Sequence, residues 1–239
     1  MKIFITGDSH TRALKTGVEL LVNQGEMPDD YQIDVQMSIG GDAMIKPYFV
    51  DKGDYVELIH AKHINSIKKL PFSDEQEGYD YHGICGLLHA TRLWRVPNHW
   101  PNCTPFTPQG GQTPISTSLL RHAVLQEQMY NMQLIEFFKR IGIKVFVIEA
   151  PKPYKHNRTM ARVNPEILSY VDNFYKNVML EWLASKEIPV IKVPGECYDA
   201  DGFMYEKFRH DNPLDGLHAN NHFGALMIKE VIAFMESRV

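Results

Sequence analysis

Ile3, Phe4 and Ile5 form a short apolar run without polar alternation, the pattern of a strand buried on both faces. Gly7 lets the backbone turn sharply, and the pattern from Thr11 to about Asn23 is helical, with Leu14, Val18 and Leu21 on one face. Gly25 and Pro28 end that helix. Residues 32–39 read as a second strand, followed at once by Gly40-Gly41-Asp42. Between 43 and 70 the pattern is ambiguous: Tyr55 to Ile59 fits a strand or a helix, and His60 to Leu70 a basic amphipathic helix. The acidic run Asp74 to Glu77 reads as a solvated loop, Tyr79 to Cys85 as a third strand ending at Gly86, and residues through Arg92 as a short helix.

Residues 96–116 hold five prolines, Gly110-Gly111, Trp100 and Phe106, too many turn formers for regular structure; they are expected to form a loop or lid. A long helix is expected from about Ser116 to Ile141, where Met129, Met132, Leu134 and Phe138 fall at core spacing. The strand Lys144 to Glu149 follows, then a basic loop from Lys152 to Arg162 and a helix from about Pro165 to Ser185. The last strand is Pro189 to Val193, a second long loop covers 195–214, and a closing helix runs from about Ala219 to Arg238. Five strands alternating with helices predict an α/β fold, a doubly wound parallel sheet with helices on both faces. No linker or repeat divides residues 1–239, so a single domain is expected.

Composition narrows the function classes. In 239 residues, 44% hydrophobic and 23% charged are ordinary globular values, and a net charge of −4 gives no reason to expect nucleic acid or an anionic membrane as partner. Cys85, Cys103 and Cys197 are odd in number and far apart, which argues against a disulfide framework or a cysteine zinc site. The N-terminal apolar run, broken by Gly7 and Asp8, does not read as a signal peptide, and no stretch approaches the ~20 apolar residues of a membrane span. The expectation is a cytoplasmic protein. Without Gly-x-Gly-x-x-Gly or Gly-Lys-Ser/Thr after the first strand, no nucleotide cofactor is expected. His60, His63, His82, His99, His122, His156, His210 and His222 form no close ligand set, so no metal is expected either.

Candidate chemistry begins at Ser9. A serine between strand and helix sits at the carboxyl edge of a parallel sheet, where open α/β folds bind ligands, although it could equally be a helix N-cap. Asp215-x-x-His218 follows the last strand and therefore shares that edge. Nucleophilic serine needs a base within hydrogen-bond reach and a carboxylate to orient it; Asp and His three apart on a turn can supply both. Asp8 is read as holding the turn by hydrogen bonding. His10 and Arg12, flanking the nucleophile, are candidate substrate contacts for a polar or anionic group. Lys152, Lys155, Arg158 and Arg162 could bind an anion or simply form a solvated loop.

In these residues the chain resembles the SGNH (GDSL-type) hydrolase family. Gly7-Asp8-Ser9 is similar to its first block, with His10 where leucine is usual; Asp215-Gly216-Leu217-His218-Ala219-Asn220 is similar to its last. Gly40-Gly41-Asp42 is similar to the second block, whose glycine helps form the oxyanion hole. The resemblance implies a flavodoxin-like, three-layer fold with a five-stranded sheet. It also implies a catalytic triad of Ser9, His218 and Asp215, and oxyanion donors from Ser9 and Gly41. The third block departs: where the family has Gly-x-Asn-Asp, this chain has Gly86-Leu87-Leu88-His89. Losing one oxyanion donor costs roughly 3–4 kcal/mol in the barrier. Either His89, or a group such as Arg12 or Asn98, replaces the Asn, or the site is altered. The implied activity is hydrolysis of a small acyl ester, on a small molecule or a carbohydrate, with the loops 96–116 and 195–214 bordering the substrate. The alternatives are acyl transfer to a sugar through the same triad, and a ligand-binding relative without catalysis.

Overall fold

The computed structural model describes residues 1–59, 67–71, 78–89, 103–155 and 164–238. Its centre is a five-stranded sheet of β1 (Lys2–Gly7), β2 (Gln32–Met37), β6 (Tyr81–Cys85), β9 (Val145–Ile148) and β10 (Val190–Ile191). The order is β10-β9-β6-β1-β2, and every pair is parallel. The β1, β6 and β9 side chains are almost all buried, as strands at the centre of a parallel sheet covered on both faces require.

Helices α1 (Thr11–Gln24) and α4 (Asn221–Glu236) cover one face; α2 (Thr117–Arg140) and α3 (Pro165–Ser185) cover the other. Leu14 and Leu21 of α1 join the first core, while Leu134 and Phe138 of α2 join the second. Helix starts follow side-chain capping: Ser116, Asn164 and Asn220 accept backbone N–H groups of their first turns. α1 and α4 come unusually close because Gly17 and Gly224 face each other; a Cβ on Gly224 would lie 1.8 Å from the Ala13 carbonyl oxygen.

The main elements follow the sequence expectation; β1 extends beyond the apolar run Ile3–Ile5, and the other four strands of the central sheet are shorter than expected by two or three residues. The 43–70 stretch holds three antiparallel strands, β3 (Phe49–Asp51), β4 (Val56–Leu58) and β5 (Lys69–Leu70), so the Tyr55 to Ile59 run is strand at its centre and the end of the expected 60–70 helix is not helical. Residues 60–66 and the acidic run 74–77 lie outside the described residues; of the short helix expected after Gly86 through Arg92, Leu87 to His89 is not helical and the remainder lies outside them. In the proline-rich loop, β7 (Cys103–Thr104) and β8 (Thr113–Pro114) pair in parallel, and residues 96–102 are outside the description. Among the described residues, no helix is long and apolar enough to cross a membrane.

Candidate active site

At the carboxyl end of β1 the chain is pulled tight against its neighbours. Gly7 has φ +156°, and a Cβ there would meet the Cys85 carbonyl oxygen at 1.8 Å, so only glycine permits this contact between the ends of β1 and β6. The Gly7 carbonyl accepts from the Ser38 N–H (3.0 Å) and hydroxyl (3.1 Å), which ties the start of the loop leading to Gly40 and Gly41 to the end of β1. Asp8 is only 3% exposed. Its carboxylate accepts the His10 N–H at 3.0 Å and faces His10 Nδ1 at 2.9 Å, while its carbonyl accepts the Thr11 hydroxyl at 2.6 Å. Asp8 therefore holds the turn, as its place in the sequence suggests.

Ser9 does not cap α1; that position belongs to His10. Ser9 Oγ instead lies 2.7 Å from His218 Nε2, across 209 residues of chain. His218 Nδ1 lies 2.8 Å from Asp215 Oδ2 and 3.0 Å from Oδ1. A carboxylate can only accept, so Nδ1 carries the proton and Nε2 presents its lone pair to the serine hydroxyl. The Asp215 turn is built locally: Oδ1 accepts the N–H groups of Leu217 (3.1 Å) and His218 (3.0 Å). Burial alone would raise the Asp215 pKa, but these two N–H groups and the imidazole bring it down to about 2. The His218 pKa is lowered, first by burial and then by the charge of His10, with Asp215 and Asp8 pulling the other way.

Two backbone donors at this edge of the sheet have no acceptor among the described residues: the N–H of Ser9 and the N–H of Gly41, the first residue of a 3-10 turn after β2. Leu88, in the place of the usual Asn, is 1% exposed and carries no side-chain donor. His89 is buried, its ring centroid 3.9 Å from that of His10, which in turn lies 5.0 Å from that of His218. Asn98 lies outside the described residues.

Of the two expected substrate contacts, Arg12 lines the groove that contains Ser9, Asp215 and His218, and His10 does not. His10 is 6% exposed and turned inward to Asp8, with Nε2 buried and without a partner among the described residues. Asp8, His10 and His89 bring donor atoms within 4.8 Å of one another, a set of the kind that can hold a metal and one that histidine spacing did not suggest. Burial would raise the Asp8 pKa, but the charges of His10 and His89 and the hydrogen bonds from His10 hold it well below the ordinary carboxylate range. Of the basic stretch, Lys155 pairs with Asp201 and Lys152 stacks over Tyr198 at 4.5 Å. Arg158 and Arg162 lie outside the described residues. Of the two long loops, 195–214 contributes His210 to the groove, and the described part of 96–116 contributes nothing.

Sequence spacing missed the supports of the site. Arg209 donates to the carbonyls of Asp215 (Nε, 3.2 Å) and Pro213 (Nη2, 2.9 Å), clamping the turn that carries the acid. A buried chain of hydrogen bonds holds the segment after β6. Tyr48 donates to Asn131 (2.8 Å), Asn131 to Gln128 (2.6 Å), Gln128 to Tyr175, and Tyr175 to the Leu87 carbonyl (2.9 Å). The only sequence signal for it was polar residues standing among core positions of α2.

No family model and no curated protein matches the chain by sequence. Similarity appears among solved structures. An acetyl xylan esterase, AlAXEase, superposes with TM-score 0.53 at 13% identity, over 98% of this chain and 99% of its own. A G-D-S-L family protein from Desulfitobacterium hafniense superposes with TM-score 0.51 at 11% identity, over 96% of this chain and 97% of its own. These matches run almost end to end, with Ser9, Gly41 and the Asp215–His218 turn gathered at one edge of the sheet, and the fold is that of the SGNH (GDSL-type) hydrolases.

Proposed function

We propose that the protein is a serine ester hydrolase of the GDSL type, with Ser9 as nucleophile, His218 as general base and Asp215 as its orienting carboxylate. The observation that carries this reading is the continuous 2.7 Å and 2.8 Å relay from Ser9 Oγ through His218 to Asp215. Ser9 Oγ attacks the ester carbonyl carbon as its proton passes to His218 Nε2, and the carbonyl electron pair moves onto oxygen. Collapse of the tetrahedral intermediate breaks the bond to the alcohol, which leaves with the proton from Nε2. Water then repeats the sequence on the acyl-enzyme and releases the acid.

The unengaged N–H groups of Ser9 and Gly41 support their role as oxyanion donors. His89 is the third donor in this reading, standing in for the Asn that Leu88 displaces. His89→Ala is accordingly expected to lower kcat by ~10²-fold, with KM little changed. A kcat within a factor of two of wild type would remove His89 from the oxyanion hole.

The lowered pKa of His218 sets the pH dependence. The base works only when neutral, so activity is present above the His218 pKa and is lost as pH falls through it. Since that pKa lies below 6.5, the acid limb of kcat/KM is expected to have its midpoint below pH 6.5. A midpoint above 6.5 would contradict the electrostatics of the site.

The substrate class is a small acyl ester, with an acylated carbohydrate favoured by the polar groove and by the fold shared with the acetyl xylan esterase. Acetate release from acetylated xylo-oligosaccharides and from 4-nitrophenyl acetate tests the activity. Saturable release that Ser9→Ala removes is expected; no release from any ester sinks the reading. Including a free sugar acceptor separates hydrolysis from acyl transfer, since transfer would place the acetyl group on the acceptor.

A further inference from the structure

The groove of about 860 Å³ that contains Ser9 is electrically uneven along its length. One wall is α1, which contributes Arg12, Lys15 and Glu19; the other is β2, which contributes the five consecutive residues Ile33–Met37. Consecutive residues alternate between the faces of a sheet, so a run of five means that the strand edge itself borders the groove. That edge is the end of the central sheet, with no further strand beyond β2 among the described residues.

Arg12 and Lys15 follow Ser9 by three and six positions, so they occupy the groove's first turns beside the nucleophile. Neither side chain makes an ion pair or hydrogen bond with any described residue. Several exposed cations elsewhere, Arg121, Arg140, Lys155, Lys186 and Lys229, each close on a carboxylate, as these two do not. The groove's own carboxylates form no ion pair with either cation. Asp215 is bound to His218, and Asp34 accepts from Gln32 and from the Tyr79 hydroxyl, both at 2.8 Å. Glu19 stands four residues past Lys15 and seven past Arg12, about 6 and 10 Å further along the helix axis at 1.5 Å per residue, and closes no ion pair with either. Arg12 and Lys15 therefore present their charges at the end of the groove that holds Ser9, where Asp215 is committed to His218.

We propose that the groove selects esters whose alcohol portion carries an anionic group, a carboxylate or a phosphate, which Arg12 and Lys15 hold beside the scissile bond. Two unpaired cations near a reacting ester give a charge-assisted contact to such a group at little desolvation cost, because both side chains remain exposed. This inference rests on Ser9 being the esterolytic nucleophile, and its test separates the two.

Three matched esters read it out: 3-acetoxybenzoate, 3-acetoxyphenyl phosphate and neutral 3-acetoxybenzamide, each corrected for its rate with hydroxide. The kcat/KM for at least one anionic ester is expected to exceed that for the neutral one by ~10-fold, mostly through KM. The carboxylate and phosphate arms show which anion the site takes. The advantage should shrink with added salt and fall towards one in Arg12→Gln/Lys15→Gln. Equal kcat/KM for all three esters, or an advantage that survives the double substitution, overturns the proposal. Binding of 3-hydroxybenzoate, 3-hydroxyphenyl phosphate and 3-hydroxybenzamide, measured by calorimetry, needs no turnover. Tighter binding of an anionic phenol that the double substitution abolishes, without hydrolysis of any ester, upholds the anion site and defeats the esterase reading. Equal binding of the three phenols, without turnover, defeats both.

Discussion

Ser9→Ala is expected to lower ester turnover on the order of 10⁵-fold or more in kcat, because it removes the atom that forms the acyl-enzyme. KM should change little, since the groove walls formed by α1 and β2 remain. Stability should change little as well. The N-terminus of α1 is formed around His10 and Asp8, and Ser9 Oγ holds no backbone N–H of the first turn. Only the bond to His218 is lost, at about 1 kcal/mol. Folded Ser9→Ala with kcat within tenfold of wild type would show that the chemistry runs through another group. A purified variant with unchanged thermal unfolding and turnover at the detection limit is the expected result.

The largest stability effect is expected at the crossing of α1 and α4. In Gly224→Ala the new methyl carbon would stand 1.8 Å from the Ala13 carbonyl oxygen and 2.5 Å from its carbon, with Gly17 already packed against the Gly224 backbone. These are main-chain atoms, so no side-chain rotation relieves the clash and the helices must separate. The core beneath them, with Leu14, Leu21, Met227 and Ile228, then loses contact along both helices. Overpacking of this kind costs about 3 kcal/mol, or roughly 10 °C in Tm for a chain of this size. Activity should fall at temperatures where the variant is still folded, since α1 starts two residues after Ser9 and α4 three after His218. Circular dichroism melting together with kcat at 20 °C checks both. A Tm within 2 °C of wild type would mean that the two helices part without cost.

What could be read from the chain beforehand was whatever local sequence determines. The apolar run of β1, the glycine after it and the Asp215-x-x-His218 spacing are short-range signals, and each sits where its pattern placed it. The paired glycines at 40 and 41 likewise mark a loop whose N–H groups are free of strand pairing. Strands of two or three residues, such as β3, β4 and β5, are too short to display a period, and the 43–70 stretch stayed ambiguous for that reason.

Side-chain direction was the harder quantity. His10 and Arg12 both flank Ser9, yet one turns inward to Asp8 and the other outward into the groove. Charge identity alone does not distinguish them, because the burial of His10 depends on Asp8 and His89, brought together by the contact between the ends of β1 and β6. The same holds for Asp172 and Lys176. Their i,i+4 spacing in α3 suits an exposed pair, but they are 3% and 5% exposed, with Lys176 3.0 Å from Glu149 at the end of β9. Burial raises the Asp172 pKa against the pull of Lys176, and the two carboxylates raise that of Lys176 in spite of burial. Arg209 and the Tyr48–Asn131–Gln128–Tyr175 chain were invisible for a related reason: their partners are backbone carbonyls or residues far away in sequence.

Intact-mass analysis after treatment with a fluorophosphonate probe tests the central claim most directly, since the reagent labels only a serine activated by its surroundings. One adduct on the wild-type chain and none on Ser9→Ala is the predicted result, with labelling of His218→Ala slowed by orders of magnitude. Well-folded wild type that takes no adduct, or an adduct that persists in Ser9→Ala, would contradict the assignment of Ser9, His218 and Asp215 as a working triad.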